Sequence, residues 1–241
     1  MSSGSKPPAG AMDVLRSLAF YLVFYVGSIP YVVGAAVAMP IAHKQFQRFV
    51  TGWSAWHRFC VRNLLGITVR VEGVLPEGPV LVAIKHESFF EAIDVPGLLD
   101  YPVVFAKAEL MQIPLWGRVA DRFGVVKVDR EAGAKALRAM VAAARRLSAE
   151  GRPLVIFPEG TRIPHGSRAP LQAGFAALYK LLDRPVVPIA VNSGPLYQRS
   201  WKRRGTITLR FGESIPTGLS REEIEARVAD AINSLNPSEA A

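Results

Sequence analysis

Residues 80–91 read Val-Leu-Val-Ala-Ile-Lys-His-Glu-Ser-Phe-Phe-Glu, an apolar run that ends abruptly in charged and polar side chains. The run Val80–Ile84 is short and rich in β-branched residues, which is typical of a buried strand. Phe89–Leu99 then has the composition of a helix. Polar residues at such a strand end are candidates for ligand binding, because α/β sheets bind their ligands beyond the carboxyl ends of their strands.

The alternation of strand and helix continues from Gly66 onward. The predicted strands are Thr68–Glu72, Val80–Ile84, Val103–Ala106, Val125–Val128, Leu154–Phe157, Val186–Val191 and Thr206–Phe211. The predicted helices are Phe89–Leu99, Leu115–Phe123, Glu131–Ala149, Leu171–Leu182 and Ser220–Leu235. This order predicts an α/β domain over residues 66–241, with a mixed, largely parallel sheet flanked by helices.

The segment before this domain has a different composition. Leu18–Ala42 contains 25 residues and no charge. At ~1.5 Å per helical residue it would span roughly 37 Å, more than a ~30 Å hydrocarbon core. Pro30 lies near its centre and removes a helix hydrogen bond, which is compatible with one kinked spanning helix or with a hairpin in one leaflet. Each half is only about 12 residues long, which favours the hairpin.

A cleaved signal peptide is a weaker interpretation, because the apolar run exceeds the ~7–15 residues of a usual signal-peptide core. We predict a disordered N-terminus at residues 1–12 and a membrane-embedded helical segment within residues 13–65. More positive charge follows the apolar segment than precedes it: His43, Lys44, Arg48, Arg58 and Arg62 against Lys6 and Arg16. The positive-inside rule therefore places the bulk of the chain at the cytoplasmic face of the inner (plasma) membrane.

His43–Leu65 carries aromatic residues at helical spacing and basic residues on the remaining positions. This pattern fits a helix lying at the membrane interface, and it fits equally well an amphipathic helix packed on the domain. The net charge of +9 suits an anionic membrane surface, and no nucleic-acid-binding motif is present in the sequence. The single Cys60 excludes an internal disulfide and a cysteine-based metal site.

His86 is the first candidate catalytic residue, because a histidine can exchange a proton near neutral pH. A nearby carboxylate could orient it, and Glu91 is the preferred partner, with Asp94 and Glu87 as alternatives. On one helix, residues five apart point about 140° away from each other. The pairing therefore requires His86 in the loop and Glu91 in the first helical turn.

A second polar cluster, Phe-Pro-Glu-Gly-Thr-Arg at residues 157–162, also follows an apolar strand. Gly160 allows the backbone to approach a ligand closely, Thr161 offers a hydroxyl, and Arg162 offers a planar donor fork that suits phosphate. Taken alone, this stretch would be interpreted as a solvated loop.

Taken together, His-x4-acid and Phe-Pro-Glu-Gly-Thr-Arg some 70 residues later resemble the 1-acylglycerol-3-phosphate acyltransferase family, the wider glycerolipid acyltransferases. Two further blocks are similar to the family's. Gly124–Arg130 resembles the second block, with Lys107, Glu109, Leu110 and Pro114 upstream, and Val186–Val191 resembles the fourth. The resemblance extends over about Gly66–Leu235, and four blocks in order make it specific.

The resemblance implies transfer of a fatty acyl group from acyl-CoA or acyl carrier protein to the free hydroxyl of a lysophospholipid, here lysophosphatidate giving phosphatidate. It implies that His86 deprotonates that hydroxyl, that Glu91 orients His86, and that the hydroxyl attacks the thioester directly. The residues implied to hold the acceptor's glycerol phosphate are Glu159, Gly160, Thr161, Arg162, Arg130 and Lys107. No cofactor and no metal is expected, and the expected partners are membrane lipids, the lysolipid acceptor and the acyl donor.

The sequence departs from the family pattern in two places. Glu91 stands where Asp is commoner, and Gln172 stands where relatives often have Lys, so that Arg168 is the nearest substitute for that positive charge. Three alternatives stay open: an acyltransferase on another lysolipid such as lyso-ornithine lipid, a thioesterase that uses water as acceptor, and an inactive membrane-anchored lipid-binding protein. The Arg199–Arg204 run is either a solvated loop or a contact with anionic lipid.

Overall fold

The computed structural model describes residues 9–128, 133–149 and 151–237. Seven strands form one sheet: β1 Ile67–Glu72, β2 Leu81–Ile84, β3 Val103–Lys107, β4 Val125–Val128, β5 Leu154–Ile156, β6 Val186–Val191 and β7 Gly205–Phe211. Their order is β1-β7-β6-β2-β5-β3-β4. All neighbouring pairs are parallel except β6 and β7. The predicted α/β fold with a mixed, largely parallel sheet is confirmed.

The helices cover both faces of this sheet. They are α1 Ala11–Ala38, α2 His43–Asn63, α3 Phe89–Leu98, α4 Trp116–Phe123, α5 Gly133–Leu147, α6 Ala173–Leu182, α7 Gly194–Tyr197 and α8 Arg221–Ile232, with a 3-10 turn at Ala108–Gln112. The sequence did not predict α7 or the 3-10 turn, which are too short to show a helical period. The predicted start of α5 at Glu131 lies outside the described residues.

Strand β2 is buried on both faces, so its alternate side chains enter two different cores. Val82 and Ile84 pack with helices α1, α2 and α3, while Leu81 and Ala83 pack with α5, α6 and α8. A strand between two cores must be apolar at every position, which explains its uninterrupted sequence. It also places the polar residues after Ile84 at the carboxyl edge of the sheet.

The apolar N-terminal segment forms one continuous helix, α1, so the favoured hairpin within Leu18–Ala42 is wrong. Pro30 is accommodated because α2 runs back along α1 on both sides of it, with the rings of Trp56 and Phe49 lying against Gly27 and Gly34. The described part of α1 is long and apolar enough to cross a membrane. It begins at Ala11, so the predicted disorder through residue 12 extends too far, and residues 1–8 lie outside the described part of the chain.

Helix α2 packs on the α/β domain, as one of its two interpretations required. Phe46, Cys60 and Val61 are buried, and Arg58 forms a two-pronged ion pair with Asp94 of α3. The side chain of Asp94 has no exposed surface. Since α3 carries Glu91 in its first turn, this ion pair connects α2 directly to the helix that follows His86.

Candidate active site

The carboxyl ends of β2, β5 and β6 meet at one edge of the sheet, because these three strands are parallel neighbours. Each end leads into a polar loop: His86 follows β2, Glu159–Arg162 follow β5, and Ser193 follows β6. Residues more than a hundred positions apart in sequence are thereby assembled in one place.

His86 and Glu91 form a hydrogen-bonded pair, with His86 Nδ1 3.1 Å from Glu91 Oε1. The same Glu91 oxygen also accepts hydrogen bonds from the backbone N–H groups of Glu87, at 2.5 Å, and Ser88, at 2.6 Å. A carboxylate held in this way accepts rather than donates, so the arrangement assigns the proton to Nδ1 and leaves Nε2 as the basic nitrogen. The His86 ring also packs against Phe157 in a tilted arrangement, with ring centroids 4.5 Å apart, which restricts the orientation of the imidazole.

Glu91 also occupies the N3 position of a helix capping box. Ser88 is the N-cap of α3 and its hydroxyl accepts a hydrogen bond from Phe90 N, while Glu91 reaches back to Ser88 N. This Ser-x-x-Glu pattern is visible in the sequence and could have indicated the turn in advance. Because the cap fixes Glu91 in the first turn, it also produces the loop-plus-helix geometry that the His86 pairing requires.

The two alternative partners of His86 are engaged elsewhere. Asp94 binds Arg58 on the other side of α3. Glu87 accepts hydrogen bonds from His165 Nδ1 and from Gly194 N, both at 2.8 Å. Burial raises the pKa of Glu87, and the two hydrogen bonds oppose that rise. Neither carboxylate reaches the His86 ring, which leaves Glu91 as its partner.

The loop after β5 turns sharply at Gly160, which has φ +67° in the left-handed region that glycine tolerates. Gly160, Thr161 and Arg162 line the mouth of a cavity that His86 also lines. The Arg162 guanidinium lies 4.3 Å from the ring centroid of Phe89 and is exposed. These three residues lie together at the cavity, and their contact with a ligand stays a prediction.

Glu159 lies in a different place from the other residues of its motif. Its buried carboxylate accepts Lys85 Nζ at 2.6 Å and the backbone N–H of His86 at 3.1 Å. Both oxygens are therefore engaged beneath the His86 loop, away from the cavity. The expectation that Glu159 contacts an acceptor is corrected to support of the backbone that carries His86. The contact between Lys85 and Glu159 could not be predicted from sequence, because the two residues are 74 positions apart.

The remaining predicted phosphate contacts divide into three cases. Lys107, at the end of β3, is exposed at the cavity mouth. Arg130 lies outside the described residues. Arg168 pairs with Asp230 of α8 at 2.6 Å instead of approaching the cavity, so it does not replace the positive charge missing at Gln172. Gln172 itself lines the cavity and donates to the Glu159 carbonyl at 3.3 Å.

The cavity has a volume of about 820 Å³ and a mostly apolar lining. His86 and Arg162 line it together with residues of the sheet and the surrounding helices. Its apolar lining includes Tyr31, Phe49, Val104, Phe123, Met140 and Leu178, from α1, α2, β3, α4, α5 and α6. A basic nitrogen at one end of a long apolar space could act on the polar end of a lipid. Within residues 9–128, 133–149 and 151–237, no group of three His, Cys, Asp or Glu side chains is placed to hold a metal ion.

The chain belongs to the acyltransferase family, because the family's model matches residues 66–192. A similar curated protein is the 1-acyl-sn-glycerol-3-phosphate acyltransferase of Pseudomonas aeruginosa, 26% identical over 240 residues that cover 94% of this chain and 93% of that protein. The sheep 1-acyl-sn-glycerol-3-phosphate acyltransferase alpha is 30% identical over 183 residues, which cover 71% of this chain and 62% of the sheep protein.

The fold also matches a solved structure. The crystal structure of the 1-acyl-sn-glycerophosphate (LPA) acyltransferase from Thermotoga maritima superposes with a TM-score of 0.70 and 22% identity, covering 92% of this chain and 93% of that one. The chain therefore shares the architecture of that protein over nearly its whole length. It is an acyltransferase by family, and His86, Glu91 and residues 159–162 lie inside the matched region.

The buried Lys85–Glu159 pair couples the stability of this site to pH. Burial raises the pKa of Glu159 above its ordinary 4.5, and Lys85 opposes that rise. In Lys85→Met the opposition is lost, so the folded state would hold a proton that the unfolded state releases. We expect the variant to lose about 3 kcal/mol of stability at neutral pH, with the loss shrinking as the pH falls towards the unfolded pKa.

Thermal unfolding in detergent at about pH 5.5 and about pH 7.5 measures this effect, since stability falls with rising pH when the folded pKa is the higher one. Lys180→Met, at an exposed position of α6, is the matched control. A deficit that is the same at both pH values would contradict the assignment of Lys85 as the partner of an ionised Glu159.

Proposed function

We propose that the protein transfers a fatty acyl group from an acyl-CoA or acyl carrier protein thioester to the free sn-2 hydroxyl of 1-acylglycerol-3-phosphate, giving phosphatidate. The observation that carries the proposal is the placement of the His86–Glu91 pair and the exposed Arg162 at the mouth of one long apolar cavity. The names of the similar proteins support the same acceptor.

His86 acts as general base in this proposal. With its Nδ1 proton directed to Glu91, Nε2 removes the proton of the acceptor hydroxyl as the oxygen attacks the thioester carbonyl carbon. The tetrahedral intermediate collapses by breaking the carbon–sulfur bond, and the departing thiolate takes the proton from the imidazolium. No acyl-enzyme forms, and holding both substrates in one complex supplies much of the rate.

The acceptor phosphate is bound by positive charge at the cavity mouth. Arg162 is the principal contact because its planar fork matches two phosphate oxygens, and its position on the Phe89 ring orients it. Lys107 lines the same mouth. Thr161 and the backbone at Gly160 complete the binding site on the described side, and Arg130 remains a proposed contact from its place in the second sequence block. No metal or cofactor is required by this chemistry.

The apolar cavity holds the acyl chain that is transferred. Its length and its lack of charge beyond the mouth suit a hydrocarbon tail, with the thioester carbonyl left beside His86. The donor group that carries the thioester, coenzyme A or a carrier protein, then remains outside the cavity. The choice between coenzyme A and carrier protein is therefore made by residues outside the cavity, and not by the cavity that holds the acyl chain.

Membrane attachment is the second part of the proposal. Helix α1 buries one face on the domain through Phe20 and Phe24, while its opposite face exposes large apolar side chains, among them Leu15, Leu18, Leu22, Val26, Ile29, Val33 and Val37. A row of exposed apolar side chains along a helix of this length is typical of a surface that contacts lipid or a partner protein. We propose that this face lies in the membrane and that the positive charges following α1 hold the domain at the cytoplasmic side.

An acylation assay with a panel of acceptors tests the reaction. Purified protein with a labelled acyl thioester is offered lysophosphatidate, other lysophospholipids, lyso-ornithine lipid or water alone, and we expect phosphatidate as the main product. His86→Ala should lower turnover ~10²–10⁴-fold with folding intact, whereas His43→Ala, at an exposed position of α2, should not. Acylation of a non-phosphate acceptor only, or equal release of free fatty acid without acceptor, would refute the proposal.

Arg162→Ala tests the phosphate contact. Loss of a charge-assisted pair should raise the KM for lysophosphatidate about 10- to 100-fold, with the KM for the thioester unchanged. Arg168→Ala removes an exposed arginine that binds Asp230 and serves as the control. A change confined to the thioester KM would show that Arg162 binds the donor instead.

Vesicle flotation tests the membrane face. The double variant Leu22→Asp/Ile29→Asp places two charges on the outer face of α1, and we expect its partition into anionic vesicles to fall at least about tenfold, because buried carboxylates are costly in lipid. Val71→Asp/Val74→Asp introduces the same charges at exposed positions of the α/β domain. Equal partition of the two double variants would exclude α1 as the membrane contact.

A further inference from the structure

Ser193 is a buried residue that the proposed reaction has not yet used. It follows directly after β6, in the turn that leads to α7, and it has no exposed surface. Its hydroxyl donates to Glu91 Oε2 at 2.7 Å and lies 2.8 Å from the hydroxyl of Ser88. It also lies just beyond residues 66–192, the stretch that matches the family model.

We propose that Ser193 is a positioning residue that holds the Glu91 carboxylate in the plane at which its other oxygen meets His86 Nδ1. This inference rests on the proposed function, since it assigns Ser193 a part in orienting the general base. Ser193 does not touch the reacting atoms and acts through Glu91.

The two oxygens of Glu91 are held in different ways. Oε1 receives three donors, His86 Nδ1 and the backbone N–H groups of Glu87 and Ser88, which fix its position. Changes in the other side-chain torsions can still tilt the carboxylate about a held Oε1, so donors to the second oxygen are needed to hold its plane. Within the described residues, Oε2 accepts hydrogen bonds from the hydroxyls of Ser193 at 2.7 Å and Ser88 at 3.1 Å. Ser193 is the closer of the two.

Ser88 is a poorer donor to Glu91 Oε2 than Ser193, because its hydroxyl lies 3.1 Å from that oxygen instead of 2.7 Å. Its single hydroxyl proton is directed either to Glu91 Oε2 or to Ser193 Oγ. When Ser193 donates to Glu91, Ser88 can donate to Ser193, and both hydroxyls are satisfied. Without Ser193, one donor at the longer distance remains for a buried oxygen, and the carboxylate is held less firmly.

The backbone that carries Ser193 is itself fixed to the His86 loop. Gly194 N donates to Glu87 Oε2 at 2.8 Å, and His165 holds the other oxygen of Glu87. A Cβ at Gly194 would lie 3.0 Å from Glu87 Oε2, so the turn approaches the carboxylate as closely as a side chain would allow. Ser193 thus enters the site from a turn whose backbone is hydrogen-bonded to the His86 loop.

The experiment measures kcat and both KM values for Ser193→Ala, with Ser148→Ala as the control for loss of a buried hydroxyl that is bonded only to its own helix, at Ala144 O. Hydrogen bonds to charged groups are worth roughly a factor of ten or more, so we expect kcat to fall about tenfold in Ser193→Ala with both KM values within about twofold. Ser193→Thr keeps the hydroxyl and should restore most of the turnover.

A double-mutant cycle separates positioning from simple stability. In a Glu91→Gln background, Ser193→Ala should change kcat little, because the charge through which it acts is already absent. A further tenfold loss in that background, or no loss in the single variant, would overturn the inference.

The Glu91→Gln single variant also distinguishes failure of the proposed mechanism from failure of the role proposed for Ser193. If it turns over like the wild type, the proposed mechanism itself fails. If it is strongly impaired while Ser193→Ala is not, only the role of Ser193 fails.

Discussion

The Glu91 carboxylate is the group on which the geometry of this site depends. It is almost completely buried, and a buried charge is tolerated only when its lone pairs find donors. The donors come from three parts of the chain: the His86 loop, the N-cap of α3 and the turn after β6. Satisfying one carboxylate therefore fixes the relative positions of β2, α3 and β6. The fold and the catalytic pair are stabilised by the same set of hydrogen bonds.

A second buried acid supports His86 from the opposite side. Glu91 holds the imidazole, whereas Glu159 holds the backbone N–H of the same residue and is neutralised by Lys85. The Lys85 ammonium also donates to Asn233 Oδ1, which ties the end of α8 to the site. His86 is thus held at both its ring and its main chain, by carboxylates that follow different strands. Support at two points restricts the orientation of the imidazole.

The sequence was sufficient for the elements and for the pairing of His86 with Glu91. Short apolar runs in the sequence predicted the seven strands that the structure describes. Residues five apart on one helix point away from each other, so the pairing of His86 with Glu91 required a turn, and the capping box provides it. It was insufficient for residues whose position depends on contacts with distant parts of the chain. Glu159 belongs to the motif whose next three residues line the cavity, yet its partner Lys85 follows another strand. Likewise, Pro30 suggested a break in α1, which packing against α2 prevents.

Part of the wall of the apolar cavity belongs to α1 and α2, through Tyr31, Ala35 and Phe49. The N-terminal helices are consequently not a detachable anchor attached to an independent enzyme. Removing them to obtain a water-soluble fragment would open the chain pocket to solvent and expose the apolar surface of the sheet and α3 that they now cover. The N-terminal helices and the α/β domain share one apolar core, so a fragment without these helices would lack part of the packing that holds the sheet and α3.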